Sequence, residues 1–301
     1  MGSIPLDMFM AAPLVVGTDG SGHALRAVRW AAAEAAARGT ALHIVHAVGF
    51  GRGGPYLSEG DRRRIVTFGN TVLAEAAAHA RRAAPGVAVT TTLCENRTTP
   101  CLLGEAAPDA TVVVGSRGRG GSAPRLIGPD SLDLAAHASL PVVVVPGEER
   151  ERAGVVLAAV RDGRDAEALW LAARLAVRDG AALGVVSAWV PLGNAGGTAA
   201  GCVGADRPAE GRARVVARIT EPVRTEFPGL PVTERVVRAG SVPDTLVRAT
   251  EEADVIVMGA RRRSHRVGSS PGHVAHAVLH RTHCPVLLAP RGVPPLKGAH
   301  P

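Results

Sequence analysis

Apolar residues along this chain gather into short continuous runs instead of alternating with polar ones. In the first half, runs rich in β-branched residues stand at 14–18, 42–47, 87–93, 111–115 and 141–145. A run that is apolar at consecutive positions offers no solvent face, so each is read as a strand buried on both sides of a sheet. Between them, longer Ala-rich stretches predict helices over 21–38, roughly 59–83, 99–107 and 130–138. Alternation of strand and helix predicts a parallel sheet wound on both faces. The second half repeats the pattern, with strands near 154–159, 183–188, 232–237, 254–258 and 285–289.

The repetition extends to the residues themselves. Ala37-Arg38-Gly39-Thr40-Ala41-Leu42 ahead of the run Ile44-Val45-His46-Ala47 recurs as Arg178-Asp179-Gly180-Ala181-Ala182-Leu183 ahead of Val185-Val186-Ser187-Ala188. Thr111-Val112-Val113-Val114-Gly115 recurs as Val255-Ile256-Val257-Met258-Gly259, and Leu140-Pro141-Val142-Val143-Val144 as Cys284-Pro285-Val286-Leu287-Leu288. A period this long marks duplicated domains; solenoid repeats run to about 20–50 residues. The expected domains are 1–148 and 149–301, joined through the polar stretch 146–152, with 193–205 and the tail from Pro290 the least ordered parts.

Composition narrows the class. Each copy is long enough to bury its own core, and aromatics at 3% leave that core to Val, Leu, Ile and Ala. The formal charge of +7 comes almost wholly from arginine, since Lys297 is the only lysine. Those arginines are scattered among Asp and Glu, which argues against a nucleic-acid tract. The four cysteines, Cys94, Cys101, Cys202 and Cys284, show no CxxC spacing and no evident pairing, so a reducing cytoplasm is expected. No apolar run reaches the roughly 18 residues of a membrane helix, and 1–12 lacks a basic leader region, so the protein is expected to be soluble and unexported.

In open parallel sheets ligands sit beyond the carboxyl ends of the strands, where strand order reverses. In the first copy that points to the ends of three strands and to the mouth of the helix after Gly128. Asp19 follows the first strand in Gly17-Thr18-Asp19-Gly20-Ser21, where a carboxylate can accept from ribose hydroxyls or an adenine amine. The alternative is that Asp19 or Ser21 caps the next helix. The fourth strand runs into Gly115-Ser116-Arg117-Gly118-Arg119-Gly120-Gly121, with Gly128 ten residues past Gly118. Glycines let backbone N–H groups approach phosphate oxygens, and a helix N-terminus adds about half a positive charge.

Gly115-x-x-Gly118, nine residues, then Gly128 resembles the ATP-binding signature of the universal stress protein family, GxxG, nine residues, then Gly and Ser or Thr. With Val15-Val16-Gly17-Thr18-Asp19-Gly20-Ser21 and the run 141–145, the resemblance spans both halves. It implies two tandem Rossmann-like domains of the adenine nucleotide α-hydrolase-like kind, each a five-stranded parallel sheet with helices on both faces. It also implies an ATP-binding, cytoplasmic stress-response sensor or regulator. Carried over residue by residue, Gly17 ends the first strand and Asp19 meets the adenosine. Thr18, Ala47 and Val114 line the base, and Gly115, Arg117, Gly118 and Gly128 approach ribose and phosphates. Ser131 stands at a later phosphate hydroxyl position. The departure is Pro129, which stands where the family has Ser or Thr and so removes a hydroxyl and an N–H. Asp130 beside it would repel phosphate unless a divalent cation such as Mg2+ bridges them. The resemblance further implies domain pairing through 141–145 and 285–289, within the chain or in a homodimer, and a protein partner that the sequence does not identify.

The second copy departs further. Gly259-Ala260-Arg261-Arg262 has arginine where the second glycine belongs, Gly272-His273 replaces Gly-Ser, and ungapped alignment sets Val160 at the position of Asp19 unless a small shift brings in Asp162. The run 261–266 can attract an anion, but this copy reads as a supporting partner. His273, His276, His280 and His283, spaced three, four and three, are expected on one face of the last helix. They are read as a solvated polar face, with ion sharing as the alternative. Enzyme signatures are absent: there is no GxxxxGK[ST], HExxH or CxxC, and Gly268-Ser269-Ser270-Pro271-Gly272 matches GxSxG only formally. At most slow ATP hydrolysis is expected, with Asp130 the nearest base, and a nucleotide-free interaction module is the other alternative.

Overall fold

The computed structural model describes residues 12–49, 58–118, 127–147, 150–191, 207–260 and 272–290. The expectations placed on 119–121, 193–205, 261–271 and the tail past Pro290 lie outside the described residues. Those that are described divide into two compact units, 12–147 and 150–290.

In the first unit the strands are β1 (Leu14–Gly17), β2 (Leu42–Ala47), β3 (Val89–Cys94), β4 (Thr111–Gly115) and β5 (Val142–Val145). Between them lie α1 (Gly22–Arg38), α2 (Glu59–Ala83), α3 (Thr98–Glu105) and α4 (Pro129–His137). The strand order is β3-β2-β1-β4-β5, all pairs parallel. β1 therefore has β2 on one side and β4 on the other, the reversal at which a crevice opens beyond the strand ends. In the second unit β6 (Val155–Ala159), β7 (Ala182–Trp189), β8 (Val232–Arg238), β9 (Val255–Ala260) and β10 (Val286–Pro290) take the order β10-β9-β6-β7-β8. Its helices are α5 (Ala166–Asp179), α6 (Arg207–Glu226), α7 (Val242–Ala249) and α8 (His273–Arg281). Predicted and observed elements agree to within about two residues at their ends.

The core follows from composition. Leu14, Leu42, Ile44, Leu102 and Leu134 in the first unit, and Leu157, Leu169, Leu183, Ile256 and Leu287 in the second, are wholly buried, each worth about 1.5–3 kcal/mol. α1 presents Ala24, Ala27, Ala31, Ala32 and Ala35 inward, small residues that let helix and sheet approach closely. The duplication extends to the helix ends. α1 stops at Gly39 (φ 65°) and α5 at Gly180 (φ 62°). Thr40 N–H donates to Ala35 O and Ala181 N–H to Ala176 O, the same glycine-terminated wrap in both.

Three expectations need correction. The runs at 87–93 and 232–237 are not buried on both faces: β3 and β8 end the strand order of their units, and residues such as Thr90 and Glu234 stay exposed. Cys94 and Cys101 form a disulfide, Cα atoms 6.0 Å apart, joining the end of β3 to α3. The spacing concealed it because the strand end and the helix meet only in the fold, and the argument for a reducing compartment loses its basis. His283 lies past the end of α8 and faces Glu251 at 3.5 Å, so it does not continue the helical face.

The units also differ inside. Glu34 and Arg38 of α1 form a buried ion pair, Nε to Oε1 2.7 Å, and Arg38 Nη1 donates to Thr111 Oγ1 at 3.1 Å. Counting back from the matched glycines Gly39 and Gly180, Leu175 and Asp179 stand in their places, and Leu175 is simply buried.

Candidate functional site

The candidate site lies at the carboxyl ends of β1 and β4. Thr18 N–H donates to Val45 O, which keeps the chain in register past β1. His46, buried, is hydrogen-bonded through Nδ1 to Thr18 O at 2.7 Å. The backbone then turns: Asp19 Oδ1 accepts from Ser21 N–H at 2.9 Å, and Ser21 Oγ accepts from Ala24 N–H as the N-cap of α1. Ser21 thus takes the capping role, and Asp19 shapes the turn that leads into it.

Asp19 points across to the loop after β4. A Cβ on Gly118 would fall 2.6 Å from Asp19 Oδ2, so only glycine lets the carboxylate lie against that backbone. A Cβ on Gly115 would fall 2.8 Å from His23 O, which is why the start of α1 can rest directly on the end of β4. The far side of the loop returns at Gly128, whose N–H donates to Ser116 O at 2.7 Å. A Cβ on Gly128 would meet Arg117 Cα at 3.7 Å and Gly118 N at 3.8 Å. The three glycines are therefore neighbours in space.

Gly128 is the N-cap of α4 with no side-chain cap, and Pro129 occupies its first position. The first turn keeps the backbone N–H groups of Asp130 and Ser131 and the positive end of the helix dipole. Asp130 Oδ2 accepts from Thr98 Oγ1 of α3 at 2.8 Å, which ties that carboxylate to a neighbouring helix. Ser131 is buried, and its hydroxyl donates to Gly115 O at 2.8 Å. Its proton is committed to holding α4 against β4, so Ser131 serves the cradle's shape and does not donate to a phosphate while that bond stands. Val114, buried in β4, and Gly17 meet through the Val114 side chain, 3.5 Å from where a Gly17 Cβ would stand. Ala47 closes β2 alongside.

His23 is the site residue that the sequence reading missed. Burial, then Arg26 and Arg117, hold its ring below the usual histidine range, while Asp19 pulls the other way. Its Nδ1 lies 2.8 Å from Arg26 Nη2. The signal was two positions past the capping serine, visible only once α1 was seen to start beside the glycine loop.

The second unit's equivalent place is built differently. Val160 N–H donates to Val186 O, the counterpart of the Thr18 bond, so Val160 matches Thr18 and not Asp19. Asp162, followed by Gly163 as Asp19 is by Gly20, accepts from Arg164 N–H two residues on at 2.9 Å, the same turn bond that Asp19 makes to Ser21. Arg161 is an added residue between Val160 and Asp162, its N–H bound by the buried Asp165 carboxylate at 2.9 Å. At the mouth of α8, Gly272 has φ 93°, against −68° for Gly128, so that helix is entered by another path.

Among the described residues no helix is long and apolar enough to cross a membrane. The profile of the universal stress protein family matches residues 10–146 and again 154–290. A universal stress protein of Mycolicibacterium smegmatis is 26% identical over 91% of this chain and 96% of its own length. One from Mycobacterium tuberculosis is 27% identical over 92% and 94%. The crystal structure of a universal stress protein from Archaeoglobus fulgidus superposes with a TM-score of 0.68 at 18% identity, covering 93% of this chain and 98% of that one, a likeness of fold. With both units matched in turn, the chain belongs to the universal stress protein family as a member built of two tandem domains.

Proposed function

We propose that the first domain binds ATP, with or without Mg2+, and that the chain is a stress-response regulator whose nucleotide state changes its conformation or its protein partner. The observation that carries this reading is the convergence of Asp19, Gly115, Gly118 and Gly128 at the end of β4, under the positive end of α4. In that arrangement Asp19 accepts from the adenosine, Thr18, Ala47 and Val114 line the base, and Arg117 with the loop backbone faces the phosphates. The second domain, with Val160 in place of Thr18 and Arg161 added ahead of Asp162, acts as the supporting copy.

A nucleotide-free interaction module is the competing reading, and Pro129 with Asp130 favours it. One donor is missing from the first turn, and a carboxylate stands where phosphate charge would gather. Slow hydrolysis would need Asp130 as base, and Thr98 already holds that group. A cytoplasmic location is part of the proposal, and there the Cys94–Cys101 pair would stand against a reducing glutathione pool.

The test is the nucleotide carried by the purified chain, released by denaturation and identified by mass spectrometry, together with the melting temperature with and without added ATP. ATP in the release, or a rise in melting temperature with ATP, supports the reading. Neither one decides for the nucleotide-free module.

A further inference from the structure

Two histidines on α8 of the second domain face each other. His276 and His280 lie one helical turn apart, their Nε2 atoms 3.3 Å from one another and their ring centroids 4.4 Å. The rings therefore converge at their Nε2 tips. Two nitrogens each about 2.0–2.1 Å from one tetrahedral ion stand about 3.3–3.4 Å apart, because the ligand–metal–ligand angle is about 109°. The observed separation, spanned here by a hydrogen bond between the two rings, is the one that such an ion sets.

We propose that His276 and His280 form a bidentate site for a divalent transition-metal ion of the zinc, nickel or copper class, its remaining positions filled by water. Imidazole is a suitable ligand for these ions, and histidines four apart on a helix reach one ion from the same face. His280 lies in the last turn of α8, where the helix dipole favours a cation. Burial, then His276 and Arg281, keep the His280 ring below the usual histidine range, which is the neutral form that ligates. Arg281, the nearest fixed cation on the helix, is ion-paired with Asp244 of α7 at 2.6 Å.

Nothing in the duplicated fold calls for imidazoles at these positions. Aligning Gly272 with Gly128 sets His276 on Leu132 and His280 on Ala136, half-buried like the histidines but unable to ligate. His273 is exposed at the first position of α8, and His283 faces Glu251, so of the four histidines only this pair is assembled. Cys284, whose thiol burial pushes up to about 12, does not compete as a thiolate.

Calorimetric titration of the full chain with Zn2+, repeated on His276→Ala, His280→Ala, His273→Ala and His283→Ala, tests the site. The expected result is one Zn2+ per chain, lost in each of the first two variants and kept in the last two. Should an alanine variant fail to fold, His280→Gln keeps the bulk of the ring's neighbourhood and is expected to lose the same ion. Absence of stoichiometric Zn2+ binding by the unaltered chain overturns the assignment. So does retention by the His276 and His280 variants, or an equal loss in His273→Ala.

Discussion

After its first strand each domain turns into a helix, but by different lengths of chain. The first uses three residues, Asp19-Gly20-Ser21, between Thr18 and α1; the second uses five, 161–165, between Val160 and α5, the last three forming a 3-10 turn. In the short connection two residues divide two tasks: Ser21 caps α1, and Asp19 accepts from Ser21 N–H and lies against Gly118. In the longer one Asp162 makes the same turn bond, to Arg164 N–H, while Asp165 holds Arg161 N–H and α5 has no side-chain cap. Lengthening the connection thus leaves the fold intact while changing what stands beyond the strand end. The same division appears under the helices, where the first domain buries Glu34 with Arg38 and the second buries Leu175.

That buried pair gives the largest expected effect. Glu34→Ala would leave Arg38 buried without its main counter-charge and is expected to cost about 3–5 kcal/mol. The first-domain transition in a urea titration should move to lower denaturant. The double change Glu34→Leu with Arg38→Met, which puts a leucine where the second domain has Leu175 and removes the buried charge beside it, should cost far less. Equal losses in the two variants would mean that the charges are incidental and only packing counts.

A smaller effect concerns His23. Its ring is held below the usual range by burial, Arg26 and Arg117. A polyphosphate beside Arg117 would cancel that repulsion and raise the pKa, so the complex would hold more protons than the free chain. ATP affinity should then rise as pH falls through the ordinary histidine range near about 6.5, by no more than about tenfold per pH unit. Comparing the slope with that of His23→Gln removes the titration of the nucleotide itself; parallel slopes would place the phosphates away from Arg117.

The strands, helices and duplication were legible in the sequence because they rest on local patterns: buried runs, Ala-rich helices, and glycines at positive φ that close α1 and α5. The glycine spacing of the candidate site was legible too, since Gly115 and Gly118 follow a strand and Gly128 opens a helix. Other features depend on contacts between distant segments. Ser131 is committed to Gly115 O, Asp130 to Thr98, and Cys94 to Cys101, and none of these is encoded in spacing. The small shift that makes Asp162 the counterpart of Asp19 took strand register and the turn bonds to place, because ungapped alignment sets Val160 there.

The central claim is the inequality of the two domains, and the stoichiometry of ATP binding tests it most directly. Calorimetric titration of the full chain should give one ATP per chain, lost in Asp19→Ala and retained in Asp162→Ala. Two ATP per chain, or binding that survives Asp19→Ala and vanishes in Asp162→Ala, would contradict the account.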